Sequence, residues 1–221
     1  VFHINNPNDA IQRCHAEGRL FDYRELVEMA KHIKDGDLIG DIGTNVGNHA
    51  VFFSKQFPNS TVMVFEPGEE AIRILTANLD ANDCGNVDRQ FIGFGLSDTA
   101  EDAWFMPNAG NNLGGARIVE ISDDEMTGVH RKRLTSVPLL TGDQAFAGLT
   151  PGMLKIDVEG LELKVLAGLE QTFERCRPVL FIEVQIANVP AFKQWMTDHN
   201  YTPVWTDTHY KSVVIFLVTP S

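Results

Sequence analysis

The chain contains 221 residues, a length that suits one large α/β domain better than two independent hydrophobic cores. Thirty acidic residues against eighteen basic ones give a net charge of -12, which argues against binding to nucleic acid or to anionic membranes. The three cysteines are far apart and form no C-x-x-C pair, so we expect no disulfide framework and a reducing, cytoplasmic setting. No stretch approaches the length of a membrane span.

Apolar strands alternate with amphipathic helices from residue 38 onward, which predicts a parallel sheet with crossover helices. Residues 1–36 form a helical segment before the first strand, in which "FDYRELVEMAKHI" is expected to cover the sheet edge. The stretches "EEAIRILTANLDAN" and "LELKVLAGLEQTF" each carry one apolar face and predict crossover helices. The parallel strands are predicted at residues 38–42, 61–66, 88–94, 152–157 and 178–184.

The last two apolar runs, "YTPVW" and "SVVIFLV", are joined by a connection too short for a crossover helix and should pair antiparallel. This predicts a mostly parallel seven-stranded sheet with one reversed strand and with helices on both faces. Residues 99–140 break the alternation and predict a β-rich insertion between the third and fourth parallel strands. All of residues 1–221 are predicted to belong to a single domain.

The stretch "LIGDIGTNVGNHA" predicts a ligand-binding loop at the end of the first strand and the start of a helix. It places Asp41, Gly43, Asn45 and Gly47 there. Glycines let the backbone turn sharply and let a ligand approach it closely. The spacing D-x-G-x-x-x-G differs from the G-x-G-x-x-G of dinucleotide-binding loops.

The acid at the end of the second strand, Glu66, is placed to accept both ribose hydroxyls of a nucleoside cofactor. Such an acid serves NAD and S-adenosylmethionine equally well. Asp41 favours S-adenosylmethionine, because a carboxylate beside the loop suits an ammonium and a sulfonium and suits a diphosphate poorly. The stretch "FIGFGLSD" then places Gly95, Leu96 and Ser97 beside the adenine.

Five stretches together resemble the FkbM family of S-adenosylmethionine-dependent methyltransferases. They are "DIGTNVGNHAVFFSK", "VFEPGEEAIRILTANLDAN", "GLSD", "LKIDVEGLELKVLAGLE" and "FIEV", and the resemblance as a whole extends from about residue 20 to residue 185. The fourth is the specific part, since many methyltransferases share the glycine loop. The resemblance implies a class I methyltransferase (Rossmann-like) fold and methyl transfer to a hydroxyl oxygen, with sugars and polyketide-type products among the family's acceptors. In "LLTGDQAF" the family's Leu-Asp pair is altered, which leaves the equivalence of Asp143 open.

Transfer to an alcohol requires removal of a proton by a base or with the help of a metal ion. Asp157, at the tip of the fourth strand, is the first candidate, and Glu183 in "FIEV" should lie beside it. The two carboxylates could share a proton or bind Mg²⁺, and Asp157 could instead cap the next helix. His49, close to the glycine loop, is a further candidate base, although a plain exposed histidine fits its position equally well. Lys155 is expected to pair with a nearby acid.

These features predict an O-methyltransferase that uses S-adenosylmethionine and acts on a hydroxyl of a small molecule, sugar or natural product. Residues 108–118 are predicted to form a mobile flap over this acceptor, with a disordered hairpin tip as the alternative. Two other functions remain open: an NAD-linked oxidoreductase and a cofactor-binding partner subunit without catalysis. We expect a small-molecule or glycan acceptor and neither nucleic acid nor membrane as a partner.

Overall fold

A computed structural model describes residues 1–108, 113–119, 133–208 and 210–221 of the chain. Its strands are β1 (Leu38–Ile42), β2 (Thr61–Phe65), β3 (Val87–Asp88), β4 (Gly95–Ser97), β5 (Asp102–Met106), β6 (Arg117–Val119), β7 (Thr135–Thr141), β8 (Pro151–Ile156), β9 (Val179–Gln185), β10 (Tyr201–Asp207) and β11 (Val213–Pro220). Its α-helices are α1 (Ala10–Ala16), α2 (Tyr23–Ala30), α3 (Asn48–Gln56), α4 (Glu69–Ala81), α5 (Gly142–Ala145), α6 (Glu162–Ala167), α7 (Glu170–Cys176) and α8 (Val189–Asp198).

The main sheet has seven strands in the order β10-β11-β9-β8-β1-β2-β3. Strands β3, β2, β1, β8 and β9 are parallel, and β11 runs antiparallel to both of its neighbours. The predicted sheet with one reversed strand is therefore confirmed. The direction of winding changes between β1 and β8, and open α/β sheets bind ligands in the crevice at such a point.

Helices cover both faces of the main sheet, which explains why its central strands are apolar on both sides. On one face, Leu26 of α2 and Phe53 of α3 pack with the sheet residues Ile39 and Phe181. On the other face, α5 to α8 contribute a second buried cluster around Phe173. Helix α2 thus lies on a face of the sheet, and the expectation that it covers the edge is wrong. Its apolar side chains, spaced by three residues, need a broad apolar surface to be buried.

The third parallel strand is much shorter than the predicted residues 88–94. Only Val87–Asp88 pairs with β2, followed by a single bridge between Glu66 and Ile92. The apolar character of this stretch reflects ring packing, because Phe91 stacks on Phe65 with ring centroids 5.1 Å apart. Gly93, with φ 98°, then takes the chain out of extended geometry.

Strands β5, β6 and nearly all of β7 lie in the predicted insertion, and with β4, which precedes it, they form a second sheet in the order β4-β7-β5-β6. Strand β4 pairs in parallel with β7, and β5 pairs antiparallel with both β6 and β7. Of the predicted flap, the structure describes residue 108 and residues 113–118, and the rest lies outside the described residues. Along the chain, the second sheet therefore begins with β4, the strand that follows β3.

The helix predicted across "LELKVLAGLEQTF" is in fact two helices, α6 and α7, separated at Gly168. A Cβ atom at Gly168 would lie 2.0 Å from the carbonyl oxygen of Ser97 in β4. The carboxylate of Asp143 accepts hydrogen bonds from the amides of Gln171 and Thr172, at 3.1 and 2.8 Å, and so caps the start of α7. Close packing on the second sheet and this capping interrupt the helix.

Gly168→Ala tests this close approach. The added methyl group forces α6 away from β4, and we expect a loss of about 1 to 3 kcal/mol in the free energy of unfolding, as for other overpacked sites. Gly85→Ala is the matched control, since a Cβ atom at Gly85 meets nothing within 4 Å. Thermal unfolding of both variants makes the comparison, and equal melting temperatures would contradict the packing described.

Candidate active site

A cavity of about 440 Å³ lies at the carboxyl edge of the main sheet, within the usual size range of ligand pockets. Its floor is formed by the residues that follow β1, β2 and β8, among them Gly43, Glu66 and Asp157. Its roof comes from the second sheet and includes Phe105 and Ile118. The insertion therefore covers the carboxyl edge of the main sheet.

The loop after β1 is shaped by its contact with the tip of β8. Gly43 has φ 79°, and a Cβ atom there would lie 1.7 Å from the carbonyl oxygen of Asp157. The amides of Gly43 and Thr44 both donate to the carbonyl of Phe65 at 3.0 Å. The amide of Gly47 donates to the carbonyl of Thr44 at 3.0 Å. These loop amides are thus already used by acceptors within the protein.

Asn45 lies at the cavity wall in the left-handed region, with φ 53°. Its amide donates to Oε2 of Glu66 at 2.9 Å. Its side-chain Oδ1 is buried and has no hydrogen-bond partner among the described residues. An amide oxygen only accepts hydrogen bonds, so this atom fits a ligand that donates one.

Glu66 connects two loops at the edge of the cavity. Oε2 accepts from the amide of Asn45, and Oε1 accepts from the amide of Gly68 at 2.8 Å. Burial raises the pKa of Glu66 to about 7, although these two amides act in the opposite direction. Each carboxylate oxygen can accept a second hydrogen bond, so the geometry leaves room for the predicted contact with ribose hydroxyls.

A buried ion pair lies beneath the loop. Nζ of Lys155 is 3.1 Å from Oδ1 of Asp41 and donates to the carbonyl of Gly43 at 2.8 Å. The same Nζ is 3.8 Å from Oδ2 of Asp157. Asp41 and Lys155 have side chains 0% and 1% exposed, whereas that of Asp157 is 32% exposed and lines the cavity. Lys155 therefore pairs with acids, as its sequence position predicts.

Further carboxyl groups surround Asp157. Burial, followed by the charges of Asp157 and Asp22, raises the pKa of Glu183 to about 9. Burial also raises the pKa of Asp22 to about 7, against a hydrogen bond of 2.8 Å from the hydroxyl of Tyr210. Glu159 lines the cavity, and burial together with Asp157 raises its pKa to about 7. Several acids at this edge thus hold protons near neutral pH.

The structure brings six of the predicted site residues to the cavity. They are Gly43, Asn45, Glu66, Gly95, Leu96 and Asp157. It does not bring the other five, Asp41, Gly47, Ser97, His49 and Glu183, to the cavity wall. The roles of all eleven residues stay predictions.

Three of these five residues lie within the packed interior. Gly47 begins α3 with φ 86°, and a Cβ atom there would lie 2.7 Å from Cδ1 of Leu75. Ser97 donates its hydroxyl to Asp98 at 3.0 Å. His49 is 8% exposed, and burial, followed by the charge of Lys155, holds its pKa well below the usual range. His49 is thus a buried neutral ring and does not line the cavity.

The N-terminal segment contributes to the site, which the sequence did not indicate. Asp9 is 1% exposed and caps α1 by accepting from the amide of Gln12 at 2.9 Å. Its other oxygen accepts from the amide of Leu113 at 2.8 Å, which fastens the roof of the cavity. Asn6 lies at the cavity wall. A capping acid before a helix is visible in a sequence, but its contact across the fold is not.

Among the described residues, no group of three or more His, Cys, Asp or Glu side chains is arranged to bind a metal ion. The described helices also include none that is long and apolar enough to cross a membrane. The predicted Mg²⁺ site at Asp157 and Glu183 therefore has no ligand set in this part of the chain.

The strand order, the glycine loop and the cavity at the carboxyl edge define the fold of class I S-adenosylmethionine-dependent methyltransferases. Solved structures share this fold. Methyltransferase FkbM from Methylobacillus flagellatus KT superposes with a TM-score of 0.62 at 14% identity, covering 94% of this chain and 52% of that one. M. capricolum TrmK, in complex with S-adenosylhomocysteine, gives a TM-score of 0.53 at 12% identity and covers 91% of this chain and 69% of that one.

The Methyltransferase FkbM domain matches residues 41–203, and the chain belongs to this family, as its motifs predict. Hexuronic acid methyltransferase AglP of Haloferax volcanii is 31% identical over 171 residues, which cover 74% of this chain and 60% of that protein. The 31-O-demethyl-FK506 methyltransferase FkbM of Streptomyces tacrolimicus is 29% identical over 203 residues, covering 79% and 78%. Methyltransferase 1 of Beauveria bassiana is 25% identical over 150 residues, covering 62% and 59%. The chain thus spans about three fifths of the length of two of these relatives.

The raised pKa of Glu66 predicts a pH dependence of stability in the protein without ligand. The pKa is about 7 in the folded state, above the ordinary 4.5, so this carboxyl stabilises the fold fully below about pH 4.5. That contribution is lost as the pH rises through about 7. We expect the free energy of unfolding of wild-type protein, relative to Glu66→Gln, to fall by about 1 to 3 kcal/mol between pH 5 and pH 8.

Denaturant unfolding at several pH values measures this difference. Glu174→Gln is the control, because Glu174 is an exposed acid on α7 and its replacement should leave the pH dependence of wild-type protein unchanged. A constant difference between wild type and Glu66→Gln from pH 5 to pH 8 would contradict the buried state of Glu66.

Proposed function

We propose that the chain transfers the methyl group of S-adenosylmethionine to a hydroxyl oxygen of a small-molecule or glycan acceptor. Family membership and fold support S-adenosylmethionine as the cofactor. Two relatives are named for a hexuronic acid and for 31-O-demethyl-FK506, which supports a sugar or natural-product acceptor. The methylated atom of the acceptor is then an oxygen.

One observation carries the choice of cofactor: four of the loop amides already donate within the protein. Dinucleotide-binding loops bind a diphosphate through free backbone amides, but the amides of Gly43, Thr44 and Gly47 donate to protein carbonyls. The amide of Asn45 donates to Glu66. The loop also holds an acceptor without a partner among the described residues, Oδ1 of Asn45, which is buried and would have to turn toward the cavity to meet a ligand. This arrangement suits a cofactor that bears an ammonium group and counts against the NAD-linked alternative.

Each end of the cofactor has residues that fit it. Glu66 would accept hydrogen bonds from the ribose, while Gly95 and Leu96 would flank the adenine. The ammonium contact, first expected at Asp41, moves in this proposal to Asn45, since Asp41 is paired with Lys155 and does not line the cavity. In this proposal the ribose, the adenine and the ammonium group of the cofactor each have a neighbouring residue at the cavity.

Proton removal from the acceptor falls to Asp157 in this proposal. The cofactor supplies an activated methyl group, so the protein has to align the acceptor oxygen and take its proton. Asp157 is a partly exposed carboxylate that lines the cavity at the tip of β8. Glu183, with its pKa raised to about 9, holds its proton at neutral pH and is a poor base. Alignment of two bound reactants can contribute about 7 to 11 kcal/mol, far more than the base itself.

Cofactor choice is tested by thermal unfolding with S-adenosylhomocysteine and with NAD. A ligand at a hundred times its Kd stabilises the folded state by about 2.7 kcal/mol. For a chain of this size we expect the melting temperature to rise by about 5 to 10 °C with S-adenosylhomocysteine and to stay constant with NAD. A rise with NAD alone would support the oxidoreductase instead.

Asn45→Gly extends this test to the loop. Glycine keeps the left-handed backbone and removes only the side-chain acceptor, so the melting temperature without ligand should change little. We expect calorimetry to show S-adenosylhomocysteine binding weakened by about tenfold or more, the size of one hydrogen bond to a charged group. Unchanged affinity would remove Asn45 from the proposed site.

Asp157→Asn tests the proton transfer. The amide keeps the shape of the side chain but cannot accept the proton. The rate of methyl transfer to a hydroxyl compound that wild-type protein methylates should therefore fall by about a hundredfold or more. S-adenosylhomocysteine affinity and melting temperature should stay near those of wild-type protein. Candidate acceptors are uronic acids, neutral glycosides and polyols, and the released S-adenosylhomocysteine measures transfer.

A chelator separates a simple base from metal assistance, since activity that depends on a base alone is indifferent to it. We expect transfer to continue in EDTA, because the described residues provide no set of three metal ligands. Loss of activity that added Mg²⁺ restores would instead assign the metal to Asp157 and Glu183. Binding of S-adenosylhomocysteine without transfer to any acceptor would favour the non-catalytic cofactor-binding subunit.

A further inference from the structure

The ammonium of Lys155 contacts three segments of the carboxyl edge at once. Its Nζ reaches Oδ1 of Asp41 at the end of β1 at 3.1 Å, and the carbonyl of Gly43 in the glycine loop at 2.8 Å. It also lies 3.8 Å from Oδ2 of Asp157 at the tip of β8. The side chain is 1% exposed, so these oxygens replace the water that an ammonium normally binds.

Lys155, Asp41 and Asp157 have different roles. Burial lowers the pKa of Lys155, but Asp41 and Asp157 outweigh it and raise the pKa above its ordinary value, so the side chain stays charged at neutral pH. Asp41 is 0% exposed and faces Lys155 in the register of β1 and β8. Asp157 is the member that reaches the cavity. One acid therefore neutralises the lysine, and the other carries the remaining negative charge to the cavity.

We propose that Lys155 is a positioning residue for methyl transfer, which holds the carbonyl of Gly43 and the carboxylate of Asp157 in one arrangement with Asp41 as its counter-ion. This rests on the proposed function, since it assigns Gly43 to the cofactor loop and Asp157 to proton transfer. Lys155 acts through these two residues and touches neither reactant.

The geometry links the two halves of the reaction. The backbone of Gly43 already abuts that of Asp157, since a Cβ atom on Gly43 would lie 1.7 Å from the carbonyl oxygen of Asp157. The ammonium adds a second, charged connection between the same two residues. A shift of the cofactor loop is therefore transmitted to the carboxylate.

The obvious variant, Lys155→Met, leaves Asp41 buried without its partner, and such a chain is expected to be strongly destabilised. The double variant Lys155→Met with Asp41→Asn removes both charges of the buried pair, and its melting temperature should stay close to that of wild-type protein. Asp41→Asn alone keeps the ammonium beside Asp157 but removes its counter-ion and should also be destabilised, so both variants are compared below their melting temperatures. Comparison of the single and double variants therefore isolates the loss of Lys155.

We expect the double variant to bind S-adenosylhomocysteine at least about tenfold more weakly than Asp41→Asn, because the carbonyl of Gly43 loses its donor. Its kcat for methyl transfer at saturating S-adenosylmethionine should also fall by about tenfold or more relative to Asp41→Asn, because Asp157 is no longer held in place. A role confined to pairing with Asp41 would alter neither measurement once the fold is stable.

The outcomes separate this role from the proposed function. Wild-type protein that binds no S-adenosylhomocysteine overturns the proposed function and the role of Lys155 with it. A folded double variant that matches Asp41→Asn in S-adenosylhomocysteine affinity, or in kcat, overturns the role of Lys155 alone. A double variant that does not fold also contradicts the role, because the fold itself would then depend on the pair.

Discussion

The backbone contact between Gly43 and Asp157 is the constraint on which the carboxyl edge depends. Two strands that are neighbours in the sheet, β1 and β8, end with their backbones so close that a side chain at Gly43 has no space. The glycine loop has to leave β1 at a positive φ, and its first amides are directed to the carbonyl of Phe65. The shape of the cofactor loop is therefore set by the tip of β8 as much as by its own residues.

Electrostatics at this edge follow from that crowding. Asp157, Glu183, Asp22 and Glu159 lie close enough to influence one another, and one buried lysine is the main positive charge among them. Desolvation and mutual repulsion raise the pKa of several of these acids, so they take up protons and leave the negative charge concentrated on few groups. The carboxyl edge of the sheet thus combines one buried lysine with several acids whose pKa values are raised.

The sequence predicted those features that depend on strand ends. Because parallel strands end at the same edge, the residues after β1, β2 and β8 had to meet, and Gly43, Glu66 and Asp157 do line one cavity. The ion-pair partner of each buried charge was harder to predict. A buried carboxylate such as Asp41 binds whichever cation the next strand places opposite it, and only the register with Lys155 shows that this partner is internal.

Long-range packing explains the remaining errors. Phe91 made residues 88–94 resemble a strand, but its ring stacks on Phe65 and the backbone hardly pairs. Gly168 lies within the stretch predicted as one helix, and only its contact with the neighbouring β4 explains why the helix breaks there. Asp9 gave no signal at all for its contact with Leu113, because nothing in a local pattern connects residues about a hundred positions apart.

The hydrogen bond from Leu113 to Asp9 also shows that the folded unit extends beyond the residues that match the family. The family match covers residues 41–203, yet Asp9 and the cavity residue Asn6 precede it. At the other end the match stops within β10, before β11, which lies between β9 and β10 in the sheet. A fragment cut at the limits of the shared domain would lose a wall of its cavity and an interior strand of its sheet. Relatives can therefore diverge in these flanking segments, and change how the cavity closes, while the shared domain stays recognisable.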